Sequence, residues 1–203
     1  MSPRPITRWL FLAACLGFGN AVLCVTRAEA AEPAKTHTVT AGEIKLTIPE
    51  SWQQQEPTTR MRLTQFAVPK VSGDTESGEF VVYYFGAGGG GTVDPNIHRW
   101  INEFQPQDRK VKLTSAKCPQ GEYVLVDLRG TWKKPVGPRI QQKTVEMRDA
   151  RVLSVILTVK DQGNYFLRLT GPKKTVSANA DALRAAIGAD AKSEKDYKVS
   201  EEN

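Results

Sequence analysis

Cysteine and histidine are scarce in this chain. Its 203 residues hold three cysteines and two histidines. Cys15 and Cys24 fall within the first thirty residues, so Cys118 is alone in the remainder. If those thirty residues are removed on export, no internal disulfide can form. That excludes the disulfide-dense class of exported modules and leaves a domain held by its apolar core. A zinc-type site needs three or four nitrogen and sulfur ligands. His37, His98 and Cys118 are too few and lack ligand spacing, so no structural or catalytic metal is expected. A Cys118–His98 dyad is the one thiol chemistry available. His98 borders an apolar helical stripe and is expected to face water. Cys118 ends a strand before Pro119, where a small half-buried residue is common. Neither G-x-S-x-G nor a P-loop occurs. The sequence therefore assigns no catalytic, cofactor-binding or metal-ligating residue, and no enzyme is expected.

The N-terminus has the pattern of an export signal. Arg4 and Arg8 precede an apolar run from Trp9 to Val25, and Ala28-Glu29-Ala30 supplies a small-x-small cleavage pattern. Cleavage after Ala30 or Ala31 is expected, with residues 1–30 as the signal. A membrane anchor fits less well, because Gly17, Gly19 and Asn20 weaken a run already short for spanning. Leu12-Ala13-Ala14-Cys15 resembles a lipobox, so a lipid anchor through Cys15 is the alternative. Residues 1–30 carry three arginines and one glutamate, so the remainder has a net charge of +4 rather than +6. That weakens any case for nucleic acid. The basic clusters Arg109-Lys110-Lys112, Lys133-Lys134 and Lys173-Lys174 read as solvated faces and turns.

The chain is organised around Glu79 to Phe104, a strand, a glycine loop and a helix in succession. Phe80, Val82 and Tyr84 alternate with Val81, Tyr83 and Phe85, so both strand faces are apolar and need covering. Asp94 can cap the helix and Pro95 suits its first turn. Ile97, Trp100, Ile101 and Phe104 make one stripe. Gly86, Gly88 and Gly91 satisfy G-x-G-x-x-G between a strand and a helix, the context of a dinucleotide site. Three features oppose that assignment. A run this rich in glycine matches by accident. The helix starts beyond the last glycine, and Asp94 would compete for its first amides. The next strand, Lys110 to Lys117, offers no acidic residue for a ribose. Gly86–Gly91 is expected to be a connection whose glycines permit positive φ.

Elsewhere Ile44, Leu46 and Ile48 alternate with Lys45 and Thr47, a half-buried strand after His37 to Thr40. Trp52 follows as a core anchor, and Gln53 to Thr59 is polar and loop-like. In Arg60 to Val68, Met61, Leu63 and Ala67 alternate with Arg62, Thr64 and Phe66. Val111 to Lys117 and Tyr123 to Gly130 are strands; Val124, Val126 and Leu128 form the buried face of the second, with Asp127 and Arg129 opposite. Trp132 to Lys143 reads as an exposed loop; Trp132 is the best candidate for an exposed aromatic at an interface, with simple packing at the rim as the favoured reading. Val152 to Val159 is apolar on both faces. Asp161-Gln162-Gly163-Asn164 is a hairpin turn leading into Tyr165, Leu167 and Leu169. A second helix spans about Val176 to Ile187, with Gly188 at its C′ position. Residues 190–203 are charged and expected to be disordered.

Six or more strands joined mainly by turns give a mostly antiparallel α+β domain over residues 31–189. Its helices are expected on both faces, as a three-layer sandwich. The order and texture resemble the PsbP-like superfamily, which includes the extrinsic photosystem II protein and the Ran-binding Mog family. The resemblance is carried by Ile48-Pro49-Glu50-Ser51-Trp52 and Phe66-Ala67-Val68-Pro69, by the helix after the Glu79–Phe85 strand, and by Tyr165 to Pro172. It covers residues 38–188. It implies an accessory or binding protein and carries over no site residues. The expectation is an exported, non-enzymatic binding or accessory domain with an envelope or secreted protein as partner. The alternatives are an envelope-associated structural subunit, or an enzyme or ligand-binding protein using Gly86–Gly91.

Overall fold

The computed structural model describes residues 35–137 and 141–200. Residues 1–30, read from the sequence as an export signal and holding Cys15 and Cys24, lie outside the described residues. No helix among the described residues is long and apolar enough to cross a membrane.

The described residues open with a hairpin, β1 (Thr36–Ala41) and β2 (Ile44–Pro49), turned at Gly42 with φ 63°. Then follow β3 (Gln53–Gln55), β4 (Arg62–Val68), β5 (Gly78–Tyr84), α1 (Val93–Ile101), β6 (Lys110–Cys118) and β7 (Gly121–Pro135). β8 (Thr144–Val159), β9 (Gly163–Pro172), α2 (Lys173–Ala178), α3 (Ala180–Ala186) and β10 (Lys195–Asp196) complete it. Eight strands form one sheet in the order β10-β6-β7-β8-β9-β5-β4-β3, and every neighbouring pair is antiparallel. The mostly antiparallel α+β class expected from the turns is observed.

Alternation along the central strands feeds two apolar clusters. Leu125, Leu153, Val155, Leu157, Leu167 and Val82 join the hairpin residues Ile44, Leu46 and Ile48, with Val176 and Leu183 from the last helices. Val124, Val126, Val152, Ile156 and Phe166 join Ile97, Trp100 and Phe104. β7 therefore buries both faces, whereas its alternation sets Asp127 and Arg129 opposite a single buried one. Asp127 is buried because Arg151 and Arg129 bind its two oxygens, at 2.8–3.2 Å.

Four further expectations change. β4 carries a register shift between Arg62 and Thr64. This bulge breaks the alternation, so Phe66 and Val68 lie in the core and Met61 is exposed. β3 occupies part of the segment read as loop. The last helix is broken at Asn179. There the Asn179 amide donates to the Thr175 carbonyl (2.8 Å) and accepts from Trp52 Nε1 (3.0 Å). The charged C-terminal segment is ordered through Ser200, because Glu194 and Tyr197 have specific partners that composition does not show. It pairs with β6 at Ser115 and Thr114.

Candidate functional site

The second cluster's face of the sheet is closed over β7 and β8 by α1, but a cleft of about 710 Å³ opens over β9, β5 and β4. Cross-strand register sets its floor. Arg168 of β9 stands opposite Val81 of β5, Thr170 opposite Glu79, and Phe166 opposite Tyr83. One wall comes from Glu103, just beyond α1, and from Trp132, Lys134 and Pro135 of β7. The other comes from Thr58, Thr59 and Met61.

Trp132 sits there through a change in β7. The sequence made it a loop residue, yet β7 continues past a register shift at Gly130–Trp132 and pairs Trp132 with Met147. It is 5 % exposed, and its Nε1 donates to Glu103 Oε2 at 3.1 Å. The candidate interface aromatic is thus a buried part of the wall, a packing role rather than an exposed one. Glu103 also accepts two hydrogen bonds from Arg168, at 3.2 and 2.7 Å, and Arg168 Nε donates to Ser154 at 3.1 Å. The Arg168 guanidinium lies 5.4 Å from the Trp100 ring centre. Burial opposes the Arg168 charge, but the neighbouring Glu103 carboxylate outweighs it and holds the guanidinium pKa above its usual value. This clasp locks the end of α1 and the β7 arm onto β9, which fixes the cleft wall.

The rest of the floor is aromatic and ionic. Tyr83 and Phe85 rings are parallel within 2°, with centres 6.4 Å apart. Arg62 lies over Tyr83 at 5.6 Å and bonds Glu79 at 2.9 Å. Lys134 pairs with Glu76 at 2.6 Å. Every charged side chain lining the cleft therefore has a partner. The mouth is apolar. Met61 and Phe85 are two of four exposed large hydrophobics among the described residues. A third, Val145, faces Lys134 across the β7–β8 arm.

The other sequence candidates lie elsewhere. His98 is exposed on α1 and Trp100 is buried, as the stripe predicts. Cys118 is half-buried at the end of β6, and His37 is exposed on β1. No metal-ligand cluster occurs among the described residues. The Gly86–Gly91 connection has positive φ at Gly86, Gly88, Gly90 and Gly91, and a side chain at Gly90 would collide with the Phe166 ring. Buried Asn96 donates to the carbonyls of Gly90 and Thr92, both at 2.8 Å, and ties the loop back to α1. Thr92, not Asp94, is the N-cap. Asp94 instead accepts from the Tyr197 hydroxyl (2.6 Å) and the Ser200 amide (2.9 Å). Of the basic clusters, Lys110, Lys112, Lys173 and Lys174 are exposed, while Arg109 bonds the Ile101 carbonyl at 2.9 Å and Lys134 enters the cleft wall.

Arg62, Glu79, Glu103 and Arg168 are the site residues that sequence reasoning missed. Their signal was a charged residue at each of two positions in strands otherwise apolar on both faces, Glu79 and Arg168.

No family model matches the chain, and no curated protein matches it in sequence. Among the solved structures similar to it are two that it matches over most of both chains. One is PA94 of Pseudomonas aeruginosa, a protein of unknown function: 15% identity, 74% of this chain and 92% of that chain covered, TM-score 0.40. The other is the cyanobacterial PsbP (CyanoP) of Synechocystis sp. PCC 6803: 10% identity, 85% of this chain and 99% of that chain covered, TM-score 0.46. A PsbP structure is thus among the similar structures, as the sequence resemblance leads one to expect. Overlap at these TM-scores and identities assigns neither a family nor a function.

Proposed function

We propose that this chain is an exported, non-enzymatic binding or accessory domain. In this reading it engages an envelope or secreted protein through the cleft between α1, the β7–β8 arm and β4. The architecture is a three-layer one. α1 covers part of one sheet face, and α2 and α3 with the β1–β2 hairpin cover the other.

The carrying observation is the contrast inside the cleft. Apolar side chains, Met61 and Phe85, stand exposed over a floor whose charges are already paired. Exposed apolar surface rimmed by polar groups marks a docking surface. With the cleft's charged side chains held in ion pairs, its exposed apolar side chains are what it offers a partner, which is the support for a binding role.

The test is a pull-down from native envelope extract with wild-type bait and a Met61→Glu/Phe85→Ser variant. The expected result is a stoichiometric protein partner retained by wild type and lost by the variant, with circular dichroism unchanged. A turnover activity abolished by changing His98 or Cys118 would refute the proposal.

A further inference from the structure

The C-terminal segment is held in a way that charged tails are not. Beyond the exposed turn Ala191–Ser193, only Glu194, Tyr197 and Val199 are even half-buried up to Ser200. Each has its own seat. Glu194 accepts from Arg184 Nε (2.7 Å) and Arg184 Nη2 (3.1 Å), from Thr114 (3.0 Å) and from Tyr123 (3.2 Å). Tyr197 donates from its hydroxyl to Asp94 at 2.6 Å, and its amide donates to the Leu113 carbonyl at 3.0 Å. Val199 packs with Tyr197 against the α1 cluster. Between these anchors, Lys195 and Asp196 pair with the β6 edge.

This is the chemistry of strand addition: main-chain bonds to an exposed sheet edge, with specificity from side chains that drop into spaced pockets. The receiving groups belong to β6, β7, α3 and α1, so the receptor is complete without the segment that fills it. The segment itself is attached by a two-residue strand, three anchors and the Ser200 amide, which donates to Asp94 at 2.9 Å, after an exposed turn.

We propose that the β6 edge and the first turn of α1 form a peptide-recognition groove. Residues Asp190–Ser200 of the same chain fill it here, and the same segment of a second copy can fill it once the resident strap detaches. Exchange of an identical element through an exposed hinge is a low-barrier route to a dimer. The groove lies apart from the cleft and does not depend on the function assigned to the cleft.

The test uses the full chain carrying Glu194→Ala and Tyr197→Ala, which weakens the resident strap and leaves every groove residue intact. A fluorescein-labelled peptide of residues 190–200 is titrated onto this variant and onto wild type, with anisotropy as readout. The expected result is saturable binding, about tenfold or more tighter for the variant because the resident strap competes in wild type. A peptide carrying the same two alanines should not bind. Sedimentation of wild type at rising concentration should show a dimer that the variant loses. The proposal is overturned if the peptide does not bind the variant, if the alanine peptide binds equally, or if no strap-dependent dimer forms. Should the variant not fold, hydrogen exchange on wild type decides. The Tyr197 amide should exchange at least about tenfold faster than the β7–β8 amides, and equal rates overturn the proposal.

Discussion

The two faces of the sheet each carry one charged clasp, and the clasps differ in how much water reaches them. On one face Arg151 binds Asp127 through two bonds and Ser177 of α2 through a third, with side-chain exposures of 10% and 9% for the ion pair. The hairpin and the last helices share that face's apolar cluster. On the other face Arg168 binds Glu103, at 16% and 19%, beside an open cleft. The chemistry is the same, a guanidinium tying a covering element to the sheet. One clasp is sealed into the fold, and the other forms the floor of a depression bordered by exposed Met61 and Phe85. A buried pair resists loss of one partner because the other charge is stranded. A pair at the edge of water can be resolvated, so it can tolerate a partner's arrival without disrupting the fold.

The largest effect should come from the element that separates closed from open on the second face. Trp100 is 2% exposed and packs edge-on against Phe166, with ring centres 6.3 Å apart. Trp100→Ala should cost about 3–5 kcal/mol, against about 5–15 kcal/mol for a whole domain, measured by urea denaturation. Asp127→Ala strands Arg151 in the sealed clasp and should cost about 3 kcal/mol. Glu103→Ala leaves Arg168 beside the cleft, where water can reach it, and should cost roughly 1.5–2 kcal/mol. Equal or inverted costs for these two would break the comparison.

Acid sharpens the same contrast. Burial pushes the Asp127 carboxyl up, but hydrogen bonds and charge from Arg151 and Arg129 outweigh it and hold its pKa below the ordinary 3.8. Glu194 behaves alike: burial raises it, and Arg184, Thr114 and Tyr123 bring it below 4.5. A depressed carboxyl contributes stability that is fully present above its ordinary pKa and lost as pH falls through the lowered one. Stability should therefore decline on acidification below the ordinary carboxylate range, and Asp127→Asn should flatten that limb. The measurement is urea midpoint against pH; an unchanged slope in Asp127→Asn contradicts the assignment. The smallest effect belongs to exposed His98. His98→Ala should shift stability by no more than about 0.5 kcal/mol, and a larger loss would place its ring inside a contact.

How far the sequence could foresee this follows from what each pattern encodes. Period-two alternation located the hairpin and β9, an apolar run located the second half of β8, and the stripe at Ile97, Trp100 and Phe104 oriented α1. These depend on local spacing and burial alone. Phe66 was placed on the wrong face because a bulge at Leu63 resets parity and leaves no mark in composition. Asp127 was set opposite the buried face because its partner Arg151 lies 24 residues away, and no local pattern joins Arg168 to Glu103, 65 residues away. Trp132 looked exposed because Pro135 and Gly137 suggested a loop, whereas pairing with β8 carries the strand on to Pro135. The strap was missed for the same reason as the clasps: its charges are paired by residues distant in the chain.

The most direct test of the central claim sets the two faces against each other in one binding measurement. Whatever protein the wild-type bait retains in the pull-down is titrated onto three immobilised chains: wild type, Met61→Glu/Phe85→Ser at the cleft, and Thr38→Glu/Lys45→Glu on the exposed side of the hairpin. If the half-open face is the docking surface, the cleft variant weakens binding by at least about tenfold, or 1.4 kcal/mol, while the hairpin variant matches wild type. Loss of binding in the hairpin variant with the cleft variant unchanged would contradict it.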